Sequence, residues 1–184
     1  MKKLSIQDLC LIGVFAAIIV VLGQISIPMP YGVPMTLQTF IIPFAGIVLG
    51  AKRGTLATLI YVILGAVGLP VFAGFAGGIS IVFGPTGGFI LSFPIMAWLA
   101  GKAAEKEHIL WLFAGLTTGT LLNFLCGMLM FSLITSNSLA TAFLACVLPF
   151  IPTAIIKIIL SGILGRRIKK LFTTPLQLFT TYMV

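Results

Sequence analysis

Charge in this chain is confined to short clusters, and that confinement limits its fold more than any other feature. Lys2 and Lys3, then Lys52 and Arg53, then Lys102 and Lys106, then Arg166, Arg167, Lys169 and Lys170 hold ten of the 11 lysines and arginines. Between these clusters run long apolar segments. A soluble domain carries about 25% charged residues; here 8% are charged and 60% hydrophobic, and the mean hydropathy is +1.24. A core cannot absorb this excess, because a domain of this size still exposes a large surface. The expected solvent is lipid.

A helix needs about 20 apolar residues to cross the hydrocarbon layer. Six stretches approach that length: 6–24, 36–50, 54–69, 87–100, 109–133 and 139–165. The second and fourth look too short to span alone. The basic clusters fall on alternate connections, and the opposite connections carry none. By the positive-inside rule, six crossings then place both termini in the cytoplasm. Asp8, Glu105 and Glu107 lie on the same side. The expected fold is an all-α membrane protein: one domain over 1–184, a bundle of six transmembrane helices in a plasma membrane.

The net charge of +8 is explained by basic loops at one membrane face, so no nucleic-acid partner is expected. Cys10, Cys126 and Cys146 lack metal-ligand spacing, which predicts neither a zinc site nor a disulfide framework. The apolar run 9–27 is longer than a signal-peptide core of about 7–15 residues, and no small-residue cleavage site follows it. It reads as a retained first helix.

Two uncharged connections, 25–34 and 70–85, are rich in Pro and Gly. Irregular backbone at membrane depth persists where protein buries it or where it lines a cavity. Both loops are therefore expected to fold back, re-entrant-like, into the outer mouth of the bundle. Small residues recur at packing spacing: Gly13/Ala17, Gly46/Gly50, Gly115/Gly119 and Ser161/Gly165. Such pairs let helices approach closely. Gly13 and Ala17 form the best candidate face for a partner membrane protein.

Several chemistries lack their parts. There is no G-x-x-x-x-G-K-[ST] phosphate loop. His108 lies in a basic loop, and the spans hold no carboxylate. No catalytic constellation, metal or cofactor is expected, so the chain is not read as an enzyme. Lys157 is the exception to the charge pattern. It lies nine residues before Arg166, which at 1.5 Å per residue is roughly 13 Å into the membrane. A lysine there costs about 2.5–3.5 kcal/mol, and such residues mostly face a cavity and pair with an anion. A ligand carboxylate would supply that anion; a carbonyl-paired packing lysine is the other reading. Asn123, the other strongly polar group in a span, suits either an interhelical hydrogen bond or a ligand contact. Gln38 and Thr39 open the second stretch and Gln24 closes the first. Phe72, Phe75, Phe83 and Phe89 would wall a pocket for a small molecule with an apolar body and a carboxylate.

At this point several motifs combine: Gly-Gln-Ile-Ser-Ile-Pro (23–28), Gly-Val-Pro-Met-Thr-Leu-Gln-Thr (32–39), Gly-Ala-Val-Gly-Leu-Pro-Val-Phe-Ala-Gly (65–74) and Phe-Gly-Pro-Thr-Gly-Gly-Phe (83–89). Together they resemble the BioY biotin transporters, over about 9–157. That resemblance implies a substrate-binding S component of an energy-coupling factor (ECF) transporter. It implies partners: a transmembrane T component, docking on Gly13/Ala17, and two cytoplasmic ATPases. It also implies a vitamin held under the first and third loops. The matching positions are Thr36 and Gln38, then Phe75, Ala76, Gly77 and Gly78, then Phe89, and last Thr153, Ala154 and Lys157.

The family's last helix resembles Pro-Phe-x-Pro-Gly-Asp-x-x-Lys, whereas this chain has Pro149-Phe-Ile-Pro-Thr-Ala-Ile-Ile-Lys157. The lysine suited to a carboxylate is kept. The acid suited to a ureido N–H is Ala154. Leaving a bound N–H unpaired costs about 1–3 kcal/mol, so lipoate stands beside biotin as a substrate. A ligand-free membrane-anchoring protein remains the alternative outside the transporter class.

Overall fold

The computed structural model describes residues 4–106 and 108–181, with side chains to 171. Lys2, Lys3 and Glu107 of the charge pattern lie outside the described residues. The order is α1 (Ile6–Gly23), β1 (Ser26–Ile27), β2 (Met35–Thr36), α2 (Gln38–Leu49), α3 (Ala51–Ala66), α4 (Ile79–Val82), α5 (Gly87–Ala104), α6 (Ile109–Thr135), α7 (Leu139–Cys146) and α8 (Ile151–Thr181). The protein is mostly helical. Among the described residues, four segments are long and apolar enough to cross a membrane: α1, α5, α6 and Leu139–Leu171. This is a multi-pass membrane protein.

Local chemistry sets the boundaries. Ser5 and Asp8 close a reciprocal capping box at the start of α1, satisfying two otherwise orphaned N–H groups. Asp8 also meets Arg53 of α3 at 3.1 Å. Gly50, at φ 81°, separates α2 from α3 with a left-handed residue that costs glycine little. The Gly46/Gly50 pair therefore divides its roles. A Cβ on Gly46 would sit 2.2 Å from the Ala97 carbonyl oxygen, while one on Gly50 meets nothing within 4 Å. Close packing belongs to Gly46 and the turn to Gly50.

α2 is central. It is 12 residues long and mostly buried, and it packs on α1, α3, α5, α6 and α8. Burial by neighbours explains how so short a helix sits in a membrane protein. α5 packs most extensively on α6.

The structure corrects several sequence expectations. The fourth stretch does not stop at Ala100, because α5 runs 18 residues to Ala104 with Lys102 in its last turn; it is not too short to cross. The third helix begins at Ala51, so Lys52 and Arg53 lie in its first turn and not before it. The sixth stretch is broken. α7 ends at Cys146, a 3-10 turn follows at Leu148–Phe150, and α8 starts at Ile151. Pro149 and Pro152 lack N–H donors and disfavour a helical residue before them. The all-α description also misses the β1–β2 pair, an antiparallel ribbon with Ser26 opposite Thr36 and Ile27 opposite Met35.

Several basic residues meet at the end of the bundle away from the uncharged loops. Lys106, His108, Arg166 and Lys169 line one small cleft there, and Lys169 Nζ donates to the Ala104 carbonyl at 2.6 Å. The two uncharged loops lie at the other end and are tied down. Gln24 Nε2 donates to the Pro70 carbonyl at 3.2 Å, and Gln24 Oε1 accepts the Phe75 N–H at 2.8 Å. Gly78 N–H donates to Gly65 O at 2.7 Å.

Candidate functional site

A cavity of about 290 Å³ lies beneath these loops, close to the lower limit of small-molecule sites, about 300 Å³. The β-ribbon loop supplies Gly32, Val33, Pro34 and Thr36. The α3–α4 connection supplies Phe72, Ala73 and Ala76, and α5 supplies Phe89, Ile90 and Phe93. Thr120 and Phe124 come from α6, and Phe150, Thr153, Ala154 and Lys157 close the far side. The wall is mainly apolar. No carboxylate lines it among the described residues.

Lys157 is part-buried and lines this cavity. Its Nζ donates to the Thr36 carbonyl at 2.7 Å and to Thr39 Oγ1 at 3.1 Å. An ammonium has three donors and no acceptor, so among the described residues one N–H is left for the cavity, together with the full positive charge. The carbonyl-paired and ligand-paired readings of this lysine are therefore compatible: protein oxygens hold it in place without neutralising it.

Its partners are themselves held. Thr36 Oγ1 donates to Gln38 Oε1 at 2.9 Å and accepts the Gln38 backbone N–H at 3.2 Å. Gln38 Nε2 donates to the buried Tyr61 hydroxyl. Tyr61 packs edge-on against Phe72, with ring centroids 5.6 Å apart. A chain of contacts thus runs from the α3 core through Gln38 and Thr36 to the lysine. Buried polar groups linked in this way rigidify a site.

The residues expected from sequence divide into two groups. Thr36, Gln38, Ala76, Phe89, Thr153, Ala154 and Lys157 converge on the cavity. Phe75, Gly77, Gly78 and Asn123 do not line it. Phe75 has φ 59° and is 73% exposed, so its ring leaves the expected wall; Phe83, 62% exposed, also stands outside. Gly77 is packed against the Leu69 carbonyl, where a Cβ would lie at 2.2 Å. Asn123 is fully buried between α6 and α5. Sequence reasoning missed Phe93, Thr120, Phe124 and Phe150. The signal was helical spacing, since residues three or four apart share a face: Phe93 follows Phe89 by one turn, Phe124 follows Thr120, and Phe150 precedes Ala154.

The BioY family model matches residues 1–174. The chain belongs to the BioY family. Its relatives include the probable biotin transporter BioY of Pyrococcus horikoshii, 41% identical over 163 residues, covering 89% of this chain and 96% of that one. The biotin transporter BioY of Thermotoga maritima is 39% identical over 160 residues, covering 86% and 94%. The fold is similar to the crystal structure of the S-component for biotin from an ECF-type ABC transporter. The TM-score is 0.83 at 28% identity, over 90% of this chain and 92% of that one. All the cavity-lining residues of this BioY-family chain, from Gly32 to Lys157, fall within the matched residues 1–174.

Proposed function

We propose that this chain is the membrane-embedded S component of an ECF-type ABC importer, and that it binds and translocates biotin. One observation carries the reading. Lys157 places a positive charge at the wall of a mainly apolar cavity and keeps one N–H without a partner among the described residues. A carboxylate on an apolar body is the complement of that arrangement. The family membership and the S-component fold support biotin as that carboxylate.

In this reading residues 1–184 act as one domain that crosses a prokaryotic plasma membrane six times, with both termini in the cytoplasm. The cleft shared by Lys106, Arg166 and Lys169 supports the orientation. A transmembrane T component and two ATPase subunits would supply the energy. Gly13 and Ala17 are exposed on α1, and a Cβ on Gly13 meets nothing within 4 Å, which supports this face as the docking surface. The substrate site comprises Lys157, Ala154, Thr153, Thr36, Gln38, Ala76 and Phe89, with Phe75, Gly77, Gly78 and Asn123 in the surrounding layer.

A second reading rests on Ala154. It lines the cavity where the family pattern has an acid, which leaves a pocket suited to lipoate, a similar acid with no ureido group. Labelled uptake separates the readings. Cells making this chain with a T component and ATPases should accumulate biotin, and Lys157→Ala should abolish accumulation. Lipoate accumulation without biotin accumulation selects the second reading. Equal biotin uptake by the variant refutes the site.

A further inference from the structure

Asn123 lies behind the cavity wall and carries an anomaly. It is fully buried, and its Oδ1 has no hydrogen-bond partner among the described residues. Its Nδ2 donates to the Phe89 carbonyl at 2.9 Å and to Ser92 Oγ at 2.8 Å. The Phe89 carbonyl only accepts, so the amide nitrogen must face it and the oxygen must take the unpaired side. A buried acceptor left unpaired is costly and calls for an explanation.

The surroundings supply one. Thr120 and Phe124, one turn and one residue away on α6, line the cavity, and so does Phe89. Phe89 lays its ring on Gly127, where a Cβ would lie 2.2 Å away. Gly127 follows Asn123 by one helical turn, on the same face. The ring thus covers α6 one turn beyond Asn123, on the face the two residues share. Ser92 is occupied, because its hydroxyl bonds the Gly88 and Phe89 carbonyls at 2.9 and 3.0 Å. Ala154 offers the ligand no acceptor.

We propose that Asn123 Oδ1 accepts an N–H from the heterocyclic head of the bound ligand, a cyclic urea or amide, when the Phe89 ring turns off Gly127. This rests on the biotin reading and adds to it a specificity-determining residue on α6. It places the ligand's polar head toward α6 and its carboxylate toward Lys157. The residue would do in this chain what an acid at position 154 cannot.

Two measurements on the full chain in detergent test the proposal. Asn123→Ala should weaken biotin binding about tenfold or more, the cost of an unpaired N–H. Ser92→Ala removes the adjacent contact but leaves Oδ1 in place, and should keep biotin affinity within about threefold. Equal losses in both variants would mean that Asn123 only positions Phe89, and no loss in Asn123→Ala would also overturn the proposal. Protein with ¹³C,¹⁵N-labelled asparagine tests the same point without a substitution, so it holds even if Asn123→Ala does not fold. The chain's asparagines are Asn123 and Asn137. Biotin should shift the Asn123 side-chain carbonyl resonance and leave Asn137 in place. Biotin bound with the Asn123 resonance unmoved overturns this inference alone; no biotin binding overturns the underlying function as well.

Discussion

Replacing Lys157 with Met tests whether the lysine serves the ligand or the fold. The substitution keeps the length and removes the charge. Two opposing terms set the effect on the ligand-free protein. Removing an intramembrane ammonium recovers about 2.5–3.5 kcal/mol. It also deletes the bonds to the Thr36 carbonyl and Thr39 Oγ1, each worth about 1.5–3 kcal/mol as a charge-assisted hydrogen bond. The sum runs from near zero to about 3.5 kcal/mol destabilising, a thermal-midpoint drop of up to roughly 10 °C for a chain of this size. Binding has no such compensation. A carboxylate that loses its cationic partner should bind roughly 10- to 150-fold more weakly, on the same value of about 1.5–3 kcal/mol. The assay is titration of purified Lys157→Met with biotin and with biotin methyl ester, alongside a thermal melt. Biotin affinity should fall sharply while the ester binds both proteins similarly. Refutation would be unchanged biotin affinity, or an equal loss for acid and ester, which would mean the pocket had collapsed.

Three further outcomes are expected. Ala154→Asp puts an acceptor on the cavity wall one turn before Lys157, and should raise the ratio of biotin to lipoate affinity about tenfold, read by competition binding. Gly13→Leu adds bulk where a Cβ meets nothing; biotin binding should persist while co-purification with the T component falls. Gly46→Ala sets a methyl 2.2 Å from the Ala97 carbonyl oxygen, a backbone atom that cannot rotate away. It should destabilise the fold by about 1–3 kcal/mol or more, seen as a lowered melting midpoint.

The helices that write the lipid requirement into their own residues were legible in the sequence. α1 and α6 fall where hydropathy alone puts them. α2 was legible too, as a short segment that needs neighbours. The break before α8 was foreshadowed by Pro149 and Pro152, but the turn's place was not, because it depends on packing of Phe150 against α6 and α7 residues. The β-ribbon left no signal, since a two-residue strand shows no alternation. Lys157 was conspicuous because its cost demands a partner. Phe75 misled because a bulky residue at φ 59° is rare, and an ordinary conformation would have turned its ring differently. The unpaired oxygen of Asn123 is a property of three-dimensional neighbours, so the sequence could mark the residue as polar and buried but not as unsatisfied.

The central claim is a carboxylate ligand held by Lys157 in the cavity beneath the two loops. Equilibrium titration of the purified chain with biotin, with lipoate as competitor, tests that most directly. Saturable biotin binding at one site per chain, lost in Lys157→Met, is the expected result. Failure of the wild-type chain to bind either acid would contradict it.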